Sequence, residues 1–277
     1  MDIHIWSDIV CPWCYIGKRR FEHALALFDH RNEVRVTHRS FQLDPTRPRH
    51  QTANRREMLK AKYRLSEQQV REMDTRMEHL ADVEGLEYHL TEAGLSGNTL
   101  DAHQVLQLGR TRRVQDAVIE RLYRAYFTEQ RSVFDRDSLV SLADDAGLDE
   151  AEVREVLDGE RCAAEVRTDE GLARELGISG VPFFVLDGRL GVSGAQAADV
   201  LLGALDKAWS ELARPEVEVF AEGAACGPDG CDCTSNDDCI AGAICFSLTT
   251  LGTTCAEYGS FCDSPSSVCL NPCALET

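Results

Sequence analysis

The sequence predicts an α/β fold interrupted by one long helical insertion. Three features carry that prediction: short alternating strands near the N-terminus, a helical middle, and two apolar runs followed by a helix that ends near Leu212. Ile3 and Ile5 alternate with His4 and Trp6, the period of a half-buried strand. Phe21, Leu25 and Phe28 then recur at helical spacing and give the next element its apolar face. Val34 and Val36 alternate before "THRSFQLDPTRP", whose prolines end the second strand. From about residue 50 to 177 the signal is helical: Val114, Val118, Leu122 and Ala125 share one face, as do Leu139, Leu142 and Ala146. Asp135 and Asp149 stand where helices should start, and Gly147, Gly159 and Gly177 where they should stop. "VPFFVLDG" is a continuous apolar run suited to a buried central strand, and "LGVSG" is a shorter partner. The last helix places Val200, Leu201, Ala204, Ala208 and Leu212 on one face. Strand, helix, strand, helical block, two strands, helix is a thioredoxin arrangement. The fold class is therefore α/β: a thioredoxin fold with a large all-helical insertion, plus a small cysteine-rich C-terminal segment.

The composition is 43% hydrophobic over 277 residues, ample for a core, and the formal charge is −18. That charge argues against nucleic acid, whose phosphates need Lys and Arg, and against anionic membrane surfaces. No segment approaches the ~18 apolar residues of a membrane helix. The chain opens directly into "DIHIWS", with no basic start followed by an apolar stretch, so a cytoplasmic location is expected. Beyond Arg214 there is no Lys, Arg or His, against ten acidic residues. The expected division is a thioredoxin-like domain over residues 1–213 and an acidic, cysteine-rich tail over 214–277.

Of the 12 cysteines, only Cys11, Cys14 and Cys162 precede residue 225. In "DIVCPWCYIGKRRF", Cys11 follows the first strand and precedes Pro12, a residue favoured at the first helical position. Cys11 is thus placed at a helix N-cap, where unpaired N–H groups and the positive end of the dipole favour a thiolate. Cys14, one turn inward, is expected to be less exposed than Cys11 and able to attack a mixed disulfide formed there. A zinc half-site would need a second ligand pair; no cysteine lies between residues 15 and 161, and no histidines pair with the motif, so no metal is expected. An inert structural pair is the third reading. Cys162 stands alone and reads as a small buried hydrophobe.

"WSDIVCPWCYIGKRRFE", "RSFQLDPTRP", "SGNTLDAHQVLQLGR", "AYFTEQRSVFDRDSLVSLADDAGLD" and "GISGVPFFVLDGRLGVSGAQ" resemble, in order, successive blocks of the DsbA-family, FrnE-type thiol-disulfide oxidoreductases over about residues 2–212. The resemblance implies Cys11, Pro12, Trp13 and Cys14 as the working centre, with protein dithiols or disulfides as substrates. It also implies a cis peptide between Val181 and Pro182 facing that centre, a surface on which an extended substrate segment would pair as an added strand. A sister branch holds glutathione-dependent 2-hydroxychromene-2-carboxylate isomerases and kappa-class glutathione transferases, typically with serine at the position of Cys11. This chain keeps both cysteines, which weakens that alternative; no cofactor is expected beyond the redox-active disulfide, with glutathione as a candidate thiol. Asn98 and His103 match the block that lines the groove in this superfamily. On their own terms Asn98, after Ser96-Gly97, reads as a helix cap and His103 as an ordinary exposed helix residue.

"CGPDGC" sets Cys226 and Cys231 either side of a Pro-Asp-Gly turn signal, within reach of a disulfide. FrnE-type proteins can carry such a CxxxxC, so the resemblance suggests a second dithiol. The seven cysteines from Cys233 to Cys273 leave three readings open: a disulfide knot, a soft-metal module, or a disordered thiol-rich tail. Two functional classes follow, an enzyme exchanging disulfides through Cys11 and Cys14, and a binding protein that uses its groove and cysteine-rich tail.

Overall fold

The computed structural model describes residues 1–91 and 94–212. Strand β1 (Asp2–Ser7) runs parallel to β2 (Arg35–Ser40) and antiparallel to β5 (Phe183–Leu186), which pairs with β6 (Leu190–Ser193). The sheet order is β2-β1-β5-β6. The Cys226–Cys231 pair, the cysteine-rich segment and the proposed boundary near residue 214 lie outside the described residues.

Alternation in β1 sorts its side chains to two sides. Ile3 and Ile5 pack with Phe184 and Leu186 against Phe21 and Ala24 of α1 (Pro12–Leu27) and Leu201, Leu205 and Ala208 of α9 (Ala198–Leu212). On the other side Trp6 and Val185 meet Ala173 of α8 (Ala163–Glu175), and the Trp6 indole donates to the Asp169 carbonyl at 2.9 Å. The apolar stripe of α9 differs from the expected one. Val200 is half exposed, and the buried positions are Leu201, Leu205 and Ala208, spaced four and three residues apart.

The insertion between β2 and β5 holds α2 (Arg55–Tyr63), α3 (Glu67–Val83), α4 (Leu100–Thr111), α5 (Gln115–Phe127), α6 (Arg136–Asp145), α7 (Glu150–Gly159) and α8. It is not wholly helical. Strands β3 (Thr52–Asn54) and β4 (Leu95–Gly97) form an antiparallel ribbon of three residues a side, too short and polar to leave an alternation in the sequence. Asp135 and Asp149 cap α6 and α7, their carboxylates accepting from Ser138 N and Glu152 N. Gly147 and Gly177 adopt left-handed backbone after α6 and α8, whereas Glu160 rather than Gly159 takes that role after α7.

Helix α4 is buried on every side. Its polar side chains bond inward: Gln107 Nε2 donates to Asp169 Oδ2 at 2.6 Å and to Ser40 Oγ at 2.8 Å. Asp169 also accepts from Arg39 and from Ser40 N. One buried carboxylate thereby ties β2, α4 and α8 together, and the insertion forms part of the same core as the helix that starts at Pro12. No helix among the described residues is long and apolar enough to cross a membrane.

Candidate active site

After β1 the chain turns at Asp8, whose carbonyl accepts the Cys11 N–H at 3.1 Å, and α1 begins. Cys11 is the N-cap of α1, with extended backbone, Pro12 at the first helical position and no acidic residue in the first turn. No side chain caps this end. The Cys11 sulfur therefore stands at an uncapped, positively polarised helix terminus.

Four contacts fix this helix start. The Tyr88 hydroxyl donates to the Pro12 carbonyl at 2.8 Å. Tyr15 stacks on Tyr123 at 4.9 Å between centroids and on Tyr88 at 6.0 Å, so two aromatic rings of the insertion clamp the first turn. Tyr15 also donates to Glu120, which accepts from Lys18 and Arg19. Burial of Glu120 works to raise its pKa, but the Lys18 charge and these hydrogen bonds outweigh it and hold the carboxyl below its usual range. Asp116 is held low by its hydrogen bond to His38 and by Lys18. Burial opposes the charge on Lys18, yet Glu120, Asp116 and Glu22 together keep it firmly protonated.

The Val181–Pro182 bond is cis, and the Val181 carbonyl lies 3.6 Å from Cys11 Sγ, where the thiol donates to it. The closeness of this loop to α1 depends on Gly17: a Cβ there would stand 2.8 Å from Pro182 Cγ. Arg20 braces the same side, bonding Glu84 and the Ala195 carbonyl. Cys14 is buried, and burial, followed by the bond with the Cys11 sulfur and its charge, pushes its thiol well above the ordinary 9.0.

The predicted residues fall in different places. Cys11, Pro12, Trp13, Cys14, Val181 and Pro182 come together; Trp13 is 40% exposed beside the pair. Cys11 is less open than expected, 5% exposed against 2% for Cys14, because the Val181 loop lies over its sulfur. Asn98 accepts from Leu100 N at 2.9 Å and donates to the Arg47 carbonyl, which ties the start of α4 to the loop after β2. His103 is not an exposed helix residue. It is fully buried, its Nε2 3.3 Å from Asp8 Oδ1, because α4 is enclosed on all sides. Cys162 is buried at the start of α8, and burial raises its thiol. Sequence reasoning missed Asp8, Gly17, Tyr88 and Tyr123, whose partners lie far along the chain.

Sheet order, the cysteine pair heading α1 and the facing proline loop define a thioredoxin-fold dithiol protein. The DSBA-like thioredoxin domain model matches residues 2–206, and the chain belongs to that family. It is similar to a probable DsbA oxidoreductase from Streptomyces coelicolor, at 48% identity over 83% of this chain and 98% of that one, with a TM-score of 0.75. It shares its fold with the cytosolic disulfide reductase DsbM from Pseudomonas aeruginosa, at 20% identity, 77% and 100% coverage and a TM-score of 0.55. The uncharacterized protein YwbO of Bacillus subtilis (strain 168) is 28% identical over 211 residues, 72% of this chain and 94% of that protein.

Proposed function

We propose that the chain is a FrnE-type thiol-disulfide oxidoreductase that acts on protein dithiols and disulfides through Cys11 and Cys14. The observation that carries this reading is the asymmetry of the pair: one sulfur at a bare helix N-terminus, the other buried behind it with its thiol pushed up. In the reducing direction the Cys11 thiolate attacks a substrate disulfide, forming a Cys11–substrate disulfide and releasing the other substrate sulfur as thiolate. Cys14 then attacks Cys11 Sγ. The Cys11–Cys14 bond forms, the bond to substrate breaks, and the electron pair leaves on the second substrate sulfur. The reverse sequence oxidises a substrate dithiol.

Val181 and Pro182 are assigned to substrate docking, with an extended peptide laid along the Val181 backbone as an added strand beside Cys11. Half-exposed Trp13 offers this peptide an apolar ring. The test is insulin disulfide reduction followed by turbidity, comparing wild type with Cys11→Ser. Turnover by wild type that vanishes in Cys11→Ser is the expected result. Equal activity in the two would refute the assignment.

A further inference from the structure

The Val181–Pro182 loop is gripped from a direction that the dithiol chemistry does not require. Between β6 and α9 the chain turns at Gly194, which adopts left-handed backbone. The Gly194 N–H donates to the Pro182 carbonyl at 2.8 Å. One residue further on, the Ala195 carbonyl accepts from Arg20 Nη1 at 2.7 Å, and Arg20 Nε donates to Glu84 Oε1 at 2.6 Å. Glu84 closes α3, its own N–H bonded back to the Ala81 carbonyl at 2.9 Å. A run of short bonds therefore leads from Glu84 in the insertion through Arg20, Ala195 and Gly194 to Pro182. At its far end the Val181 carbonyl lies 3.6 Å from Cys11 Sγ.

Arg20 and Glu84 are 18% and 13% exposed, so solvent screens this pair little. A guanidinium suits the place, because its planar fork bonds two partners at fixed angles, here a carboxylate and a main-chain carbonyl. Helix α1 does not need the brace for its own anchorage. Ile16 and Phe21 are buried, and Lys18 and Arg19 hold Glu120 on its other side. What Arg20 fixes is the turn at Ala195, and through it the loop over Cys11.

We propose that Arg20 is a specificity-determining positioning residue, which hangs the Val181–Pro182 loop on Glu84 of the helical insertion and so favours extended peptide disulfides over small ones. The inference rests on the docking role given to that loop above. Arg20 touches no reacting atom. It holds the Val181 backbone as a ready edge for an incoming strand, and an edge already in place spares the substrate the cost of ordering it. A small disulfide has no backbone to pair and reaches Cys11 without that edge.

The experiment is single-turnover oxidation of the reduced full-length chain by a disulfide-linked peptide and, separately, by hydroxyethyl disulfide, followed by mass mapping of acid-quenched Cys11. In Arg20→Met the efficiency with the peptide should fall roughly 10- to 100-fold, mainly through a higher half-saturation concentration. The rate with hydroxyethyl disulfide should stay within about twofold of wild type. Arg20→Lys keeps the charge but not the fork and should recover part of the loss. Glu84→Gln should show a smaller peptide-selective loss, and none beyond that of Arg20→Met when the two are combined. Equal losses with both substrates would mark a merely structural role and overturn the proposal, as would additive losses in the double variant. Should Arg20→Met not fold, Arg20→Lys and Glu84→Gln decide: a loss confined to the peptide supports the brace, and an equal loss or none overturns it. Gly17→Ala, which displaces the same loop by another route, separates the two readings. A peptide-selective loss in Gly17→Ala without one in Arg20→Met overturns the brace alone. No peptide-selective loss in either variant overturns the docking role of the loop as well.

Discussion

Gly17→Ala should damage the site through a single methyl group. The added Cβ would stand 2.8 Å from Pro182 Cγ, 3.5 Å from Pro182 Cβ and 3.4 Å from Ala195 Cβ. Non-bonded carbons rest about 3.5–4.0 Å apart, so the closest contact must open by roughly 0.7–1.2 Å. The pyrrolidine ring has no rotamer that swings clear. Helix α1 resists as well, because Ile16 is fully buried and Phe21 nearly so. The loop carrying Pro182 must therefore move, although the Gly194 N–H holds the Pro182 carbonyl at 2.8 Å. Overpacking of this kind costs about 1–3 kcal/mol. For a domain of this size each kcal/mol lowers Tm by about 2–4 °C, so a fall of roughly 2–12 °C is expected. The displaced loop also takes the Val181 carbonyl off Cys11. Protein-disulfide turnover should drop by up to about 100-fold, the scale of a 1 Å misplacement, while Cys11 becomes easier for a small alkylating reagent to reach. Thermal melts, insulin reduction and iodoacetamide labelling on the same preparation give all three readings. A Tm within about 1 °C of wild type with unchanged insulin turnover would refute the reasoning.

Three further outcomes follow from the same geometry. Near neutral pH, alkylation of the reduced protein followed by peptide mass mapping should label Cys11 well before Cys14, because burial and the neighbouring sulfur keep Cys14 protonated; equal rates would contradict the assignment of roles. Tyr88→Phe should cost about 1 kcal/mol in denaturant unfolding, through loss of the bond to the Pro12 carbonyl; a stability equal to wild type would remove Tyr88 from the clamp. Asp116 and Glu120 are lowered from their ordinary 3.8 and 4.5, so the stability they contribute is present above those values and lost as acid carries the pH below about 4.5. Lys18→Met should cost on the order of 2 kcal/mol at neutral pH, less than a fully buried pair because the Asp116 side chain is largely exposed. Its acid loss should also be shallower; a stability–pH curve parallel to wild type would show that Lys18 does not hold these carboxyls down.

What could be read from the sequence was local. Cys11, Pro12 and the apolar repeat at Phe21 lie within one helix, so the N-cap position of Cys11 followed from residue order alone. The caps at Asp135 and Asp149 were legible for the same reason. Long-range contacts left no such trace. Asp8 and His103 are 95 residues apart, and an aspartate before a helix and a histidine within one each have ordinary local explanations. His103 read as an exposed helix residue; it is buried instead, and the polar groups of α4 pair inward because helices and sheet enclose that helix. The same holds for Tyr88 and Tyr123, which carry no local signal and are set against Tyr15 only by the fold. Asn98 had two readings; it stands one residue before Thr99, the N-cap of α4, and its bonds to Leu100 N and the Arg47 carbonyl tie that start to the loop after β2.

The central claim is that Cys11 takes the substrate sulfur and Cys14 releases it. Trapping tests it most directly: Cys14→Ala, reduced and mixed with a disulfide-containing protein, is quenched in acid and the cross-linked peptides are sequenced by mass spectrometry. The account predicts a stable Cys11–substrate disulfide that accumulates with Cys14→Ala and not with wild type, and none with Cys11→Ala. A cross-link through any other cysteine, or equal amounts in the three proteins, would contradict it.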